Sequence, residues 1–293
     1  MNRLLPLLLA VVLLGCQRPE RPKILPLREP TPTPGPEITL EVPYARIEGT
    51  DPALTSLDIY APLAASNLPV VIFVHGGGWD SGDKRLQGER KAEWLNAAGY
   101  VFVSINYRLS PAVVHPAHVQ DVARAIAWAQ ANIANYGGDP ARLFLLGHSA
   151  GAQLVALVAT DERYLAAEGL PLSAIRGVAG LDGGGYDIPS ATASKERNAD
   201  ERFDVAFGSD PAVWADASPL THVGPGKGIP PFLLAYGGNR ALSRDQADAL
   251  AAALQAAGVA AQTYHAEDRN HLTLNRDLGK PDDATSGPNL LSR

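Results

Sequence analysis

The chain has one cysteine, Cys16, in 293 residues. A lone cysteine excludes an intrachain disulfide and any cysteine-rich metal site. Positive charge is also in short supply. Lys plus Arg number 25 against 31 Asp plus Glu, a net charge of −6, and basic residues cluster no further than pairs such as Lys84-Arg85. Binding to nucleic acid rests on clustered basic side chains that neutralise phosphates, so that class of partner is excluded. No apolar run approaches the roughly 20 residues of a membrane-spanning helix. The zinc pattern H-E-x-x-H does not occur, and neither a metal nor an organic cofactor is implied.

What is present begins with Arg3 and the apolar run Leu4 to Leu14. A positive head followed by about ten apolar residues describes a secretory signal. The run ends Leu13-Leu14-Gly15-Cys16, which resembles a bacterial lipobox. That resemblance implies a signal peptide over 1–15, cleavage before Cys16 and lipidation of that cysteine. The membrane would then be a partner through the N-terminal lipid anchor. Gln17 in place of Asp implies sorting to the outer membrane, hence a location in the bacterial cell envelope on the periplasmic face. Pro19, Pro22, Pro26, Pro30, Pro32, Pro34 and Pro36 punctuate the next stretch. Such a composition buries no core and favours an extended tether over 16–36, ahead of a domain over 37–293.

Within that domain short apolar runs alternate with helical periodicity. Strands are expected at 38–47, 54–60, 70–75, 101–106, 143–147, 175–181, 232–236 and 260–265, and helices at 84–98, 117–135, 150–160 and 243–257. Gly258 is a natural C-terminal stop for the last helix. Continuously apolar strands separated by helices predict an α/β fold, a mostly parallel sheet covered on both faces, with the first two strands as an antiparallel hairpin at one edge. Residues 183–230, polar and rich in Gly and Pro, read as an insertion after the sixth strand, over the active-site face.

Two motifs carry the chemistry. In Gly147-His148-Ser149-Ala150-Gly151 a serine follows the apolar strand Leu143–Leu146 and precedes the apolar helix 150–158. This is the context of a nucleophile on a sharp strand-to-helix turn, where flanking glycines relieve crowding. In His75-Gly76-Gly77-Gly78-Trp79 three glycines follow the strand 69–74, and their free amides suit an oxyanion hole. Gly76, Gly77 and Ala150 are the expected donors, with His75 ordering the loop.

With Asn106-Tyr107-Arg108-Leu109-Ser110-Pro111 between them, these motifs resemble the α/β-hydrolase superfamily. The likeness runs from about residue 50 to 280 and is nearest the hormone-sensitive-lipase-like, feruloyl-esterase-like and kynurenine-formamidase-like esterases. It implies an eight-stranded sheet, a Ser-acid-His triad and hydrolysis of carboxylic esters, with structural roles for Asn106, Tyr107, Arg108 and Asp121. His271, after the last strand, stands where the superfamily carries its base; His265 lies within the strand pattern. The family's acid follows the seventh strand as G-x-x-D or a variant, yet residues 234–243, Leu-Ala-Tyr-Gly-Gly-Asn-Arg-Ala-Leu-Ser, hold no carboxylate. Asp182, at the end of the sixth strand, is the first candidate, because some lipases of this fold place the acid there. Asp245, Asp187 and Asp268 remain alternatives, as does a triad without an acid.

The expected activity is a serine carboxylesterase acting on small, short-acyl or acetyl esters through an acyl-enzyme. Trp79, Tyr186, Phe207 and Trp214 could line the substrate pocket or pack the core. The competing readings are an arylformamidase-like amide hydrolase and a catalytically degenerate, lipid-tethered binding protein.

Overall fold

The computed structural model describes residues 24–25, 38–86, 88–193 and 200–280. Cys16, the signal segment and most of the predicted tether lie outside the described residues. Among those described, no helix is long and apolar enough to cross a membrane.

Eight strands form one sheet: β1 Ile38–Pro43, β2 Ser56–Tyr60, β3 Leu68–Val74, β4 Val101–Ile105, β5 Gly138–His148, β6 Ile175–Leu181, β7 Phe232–Gly237 and β8 Ala261–Ala266. Their spatial order is β8-β7-β6-β5-β3-β4-β2-β1. β1 pairs antiparallel with β2, and β2 antiparallel with β4; every other pairing is parallel. The expected edge hairpin is therefore present. Helices α1 (Gly88–Ala97), α2 (Ala117–Asn132), α3 (Ala150–Thr160), α4 (Glu162–Ala166), α5 (Ile188–Ala193), α6 (Asp200–Phe207), α7 (Pro211–Asp216), α8 (Ala241–Ala256) and α9 (His271–Arg276) complete the chain.

The central strands are apolar on both faces because both are covered. Val70, Ile72 and Val74 of β3 face the larger core with α2, α3 and α8, while Val71 and Phe73 face the smaller one with Leu95 of α1 and Leu274 of α9. This is the α/β-hydrolase fold, with residues between β6 and β7 forming the insertion that carries α5, α6 and α7. Gly258, with φ 80°, ends α8, and the Val259 amide returns to the Leu254 carbonyl at 2.9 Å. That is the αL closure expected of glycine at this position.

Two boundaries differ from expectation for identifiable reasons. The first apolar stretch does not run on to residue 47. β1 carries a bulge between Thr39 and Val42, with Glu41 at φ 58°, and ends at Pro43. Arg46–Ile47 then pairs instead with Ile24–Leu25, two residues of the segment read as tether. α1 begins at Gly88 and not at Lys84, because the Lys84 amide is taken by the Asn106 side chain at 2.6 Å. That contact holds residues 83–86 in turns.

Candidate active site

Ser149 sits between β5 and α3 with φ 55° and ψ −119°, a conformation that costs a non-glycine residue roughly 1–3 kcal/mol. Neighbouring strands hold it there: its amide donates to the Leu181 carbonyl of β6 at 2.9 Å. The flanking glycines are required by crowding. A Cβ on Gly151 would meet the Val74 and His75 carbonyls, and one on Gly147 would meet Ala152 Cα at 2.8 Å.

The glycine loop comes up against the serine. A Cβ on Gly76 would lie 3.0 Å from Ser149 Cβ, so Gly76 backs closely onto that side chain. Gly77 has φ 120°, and its carbonyl accepts from the Ser81 amide at 3.1 Å and hydroxyl at 2.7 Å. Ala150 opens α3, and the amide of a first helical residue has no intrahelical acceptor. His75 stacks on Tyr107 with ring centroids 4.5 Å apart and donates from Nδ1 to the Gly76 carbonyl at 2.7 Å. Burial lowers its pKa, so it fixes the loop as a neutral ring. Tyr107 donates to the His75 carbonyl, and Arg108 is anchored by Asp121 through two bonds of 2.8 and 2.9 Å.

His271 is the first residue of α9, whose start is set by an Asn270–Thr273 capping box. Its Nδ1 lies 2.5 Å from Asp182 Oδ2. Asp182 follows β6 with φ 50°. The Ala235 carbonyl takes its amide at 2.7 Å, and the Gly237 amide reaches its Oδ1 at 3.3 Å. The carboxylate is fully buried, whereas the His271 ring is 30 % exposed. Burial alone would raise the Asp182 pKa, but the His271 hydrogen bond and the Arg240 charge outweigh it and lower it. The other candidate acids are elsewhere: Asp245 pairs with Arg244 on the surface of α8, Asp268 with Arg269 in the loop before α9, and Asp187 caps α5. His265 bonds the Gly238 carbonyl.

Two further side chains complete the site, of which Arg240 was not singled out from the sequence. His148 donates from Nε2 to the His271 carbonyl at 2.9 Å, with the two rings 4.7 Å apart. Burial, reinforced by the neighbouring His271, drives its pKa down to about 3. Arg240 places Nη1 2.7 Å from Asp182 Oδ2 and 2.6 Å from His271 Nδ1. A signal for it existed: Gly237-Gly238-Asn239-Arg240 keeps the G-x-x spacing and puts arginine in the fourth position. Asn239 is exposed.

The aromatic residues considered for a pocket mainly pack. Trp79 is buried against Phe203 and Phe207 of α6 and donates to Gln153 at 3.0 Å. Tyr186, 1 % exposed, fills the space above Gly180 and Gly183, where any Cβ would strike its ring. Trp214 ties α7 to the end of α6 through the Gly208 carbonyl at 2.7 Å. Among the described residues no group of three or more His, Cys, Asp or Glu side chains could hold a metal ion.

The BD-FAE family profile matches residues 57–254. Esterase LipC of Mycobacterium tuberculosis is 39% identical over 201 residues, 64% of this chain and 49% of that protein. Esterase LipQ of the same organism is 37% identical over 203 residues, covering 67% and 48%. The chain thus spans about half the length of these curated relatives. Crystal structures of esterase B from Lactobacillus rhamnosis, one C6-C4 SN3 inhibited and one with a C4-C4 SN3 tributyrin phosphonate, have TM-scores of 0.72 and 0.71 at 25% identity. They cover 87% of this chain and 85% and 84% of theirs.

Proposed function

The chain belongs to the BD-FAE family, and on that premise we propose that it is a serine carboxylesterase that hydrolyses short-acyl or acetyl esters. The observation that carries the reading is the 2.5 Å contact from His271 Nδ1 to the buried Asp182 carboxylate. With the proton on Nδ1, Nε2 keeps a lone pair and can act as base. Ser149 then attacks the ester carbonyl as Nε2 takes its proton. The amides of Gly76, Gly77 and Ala150 receive the developing oxyanion, and Asp182 steadies the imidazolium. The protonated imidazole hands its proton to the leaving alcohol, and an acyl-enzyme remains. Water, deprotonated by His271, attacks that ester to release the acid and restore Ser149.

The names of the relatives, esterases in each case, support ester hydrolysis. The tributyrin phosphonate of the esterase B structure favours short acyl groups. The alternative of a degenerate binding protein rests on the missing carboxylate after β7, and the buried Asp182 beside His271 supports the enzyme reading over it. A p-nitrophenyl ester series from acetyl to decanoyl, with fluorophosphonate labelling, tests the reading. Wild type should be labelled and turn over the acetyl and butyryl esters fastest, and Ser149→Ala should do neither. Absence of labelling in folded wild type would leave the binding protein; hydrolysis of N-formyl anilides in preference to esters would leave the amide hydrolase. The lipid anchor at Cys16 is part of the same proposal and is tested separately: Cys16→Ala should move the protein out of the membrane fraction.

A further inference from the structure

Position 240 is the fourth residue of the G-x-x-D spacing after β7, yet it carries a guanidinium, and that guanidinium reaches both partners of the contact described above. Arg240 Nη1 stands 2.7 Å from Asp182 Oδ2 and 2.6 Å from His271 Nδ1. We propose that Arg240 is a positioning residue that clamps the Asp182 carboxylate and so, through that anion, sets which nitrogen of His271 carries the proton, the acid's place after β7 having passed to the end of β6. This rests on the serine hydrolase reading given above.

A guanidinium has no acceptor and keeps its charge, so Nη1 can only donate. If Nδ1 carries a proton, Nη1 and Nδ1 both donate to Asp182 Oδ2 and Nε2 is free to act as base. If Nδ1 is bare, Nη1 can donate to it directly, the proton sits on Nε2, and the ring cannot accept from Ser149. Asp182 decides between the two arrangements, because its anion rewards two converging donors. Fully buried, and with only the 3.3 Å Gly237 amide besides, it relies on Arg240 for its place.

Other charged or titratable groups face this pair. His148 lies beside the His271 ring from the end of β5. Tyr186 senses Asp182 from the loop after β6. Lys91 of α1 acts on His148, and the Asp268–Arg269 pair precedes α9. These stay constant when only residue 240 is changed.

Four variants test the proposal, each checked for folding by circular dichroism and thermal melting. Arg240→Met should lower kcat about tenfold with KM little changed. Arg240→Lys, which keeps a donating cation at the site, should recover most of the wild-type kcat. Asp182→Asn should lower kcat by about 10³–10⁴. The double variant Asp182→Asn/Arg240→Asp, which returns a carboxylate to the position after β7, should recover at least tenfold of that loss. A folded Arg240→Met with wild-type kcat would overturn the inference. So would a folded double variant no faster than Asp182→Asn, or an Asp182→Asn enzyme of normal rate. If wild type itself neither turns over esters nor takes the fluorophosphonate label, the underlying reading has failed; if it does both and Asp182→Asn is slow, a failure of the Arg240 variants belongs to Arg240 alone.

Discussion

His148 Nε2 donates to the backbone carbonyl of His271 across 2.9 Å, so the side chain before the serine braces the loop that carries the imidazole. A carbonyl accepts only from a protonated nitrogen, so Nε2 carries the proton. Burial holds the ring neutral, with a pKa of about 3. His148 therefore takes no part in proton transfer at neutral pH, and its contribution is placement.

His148→Ala should consequently lose activity without a change in the shape of the pH profile. A shift of about 1 Å in the His271 loop can cost ~100-fold in rate. Loss of a buried hydrogen bond, with the His271 carbonyl left unpaired, should cost about 1–3 kcal/mol of stability. Steady-state kinetics across pH 5–9 and urea unfolding check both. A pH limb that moves with the substitution would give His148 a titrating role instead.

Gly76→Ala probes the serine from its other side. The new methyl would come 2.9 Å from His148 Nδ1 and 3.0 Å from Ser149 Cβ, tighter than side chains tolerate, so the loop must retreat and carry its amides away. Loss of one oxyanion donor costs ~10²–10³ in kcat. The expected signature is that fall in kcat with a melting temperature near wild type and fluorophosphonate labelling slowed in parallel. Unimpaired turnover would mean that Gly76 is small for packing reasons alone.

Periodicity and glycine placement made most of this architecture readable in advance. β3 shows why: Val70-Val71-Ile72-Phe73-Val74 is apolar at every position because both sheet faces are covered, and its short length and β-branched composition mark it as a strand and not a buried helix. The eight strands, the edge hairpin and helices α2, α3 and α8 follow from the same logic. The short helices α5, α6 and α7 were not legible, because each is a turn or two stabilised by tertiary contacts such as Phe203 and Phe207 on Trp79. Asp182 could be nominated from its strand-end position, but its neighbour could not. The search after β7 was for a carboxylate, and a side chain of opposite charge fills that place in space. The partner of His148 was hidden for a different reason: it is a backbone carbonyl 123 residues away, which no local pattern encodes.

Asp121 tests the framework beneath the glycine loop. It is completely buried and accepts from Arg108 at 2.8 and 2.9 Å and from Arg124 at 2.7 Å. Asp121→Asn would leave two nearly buried guanidinium groups facing a neutral amide. Breaking a buried pair on one side costs about 3–5 kcal/mol. The loss should appear in chemical unfolding well before it appears in kcat of the protein that remains folded, because Arg108 acts on the loop through Tyr107. A stability change below about 1 kcal/mol would show that water reaches these groups.

Lys91 gives the protein a pH dependence unrelated to its chemistry. Its ammonium is buried on α1, 2.9 Å from the Asn275 carbonyl and 4.8 Å above the Phe73 ring. Burial, aided by Arg90, lowers its pKa to about 7. In the unfolded chain a lysine titrates near 10.4, so between those two values the unfolded state holds a proton that the folded state has released. Stability must then rise with pH across that window, by at most about 1.4 kcal/mol per pH unit. Below pH 7 both states are protonated and the slope from this group vanishes. Lys91→Met keeps the length of the side chain and removes the titration, so its unfolding free energy should lack the rise between pH 7 and 10. Its advantage over wild type should be largest at pH 7 and fall away toward pH 10. Denaturant unfolding of both proteins at half-unit intervals reads the difference directly, and parallel curves would show that Lys91 stays charged in the fold, held by Asn275 and the Phe73 ring.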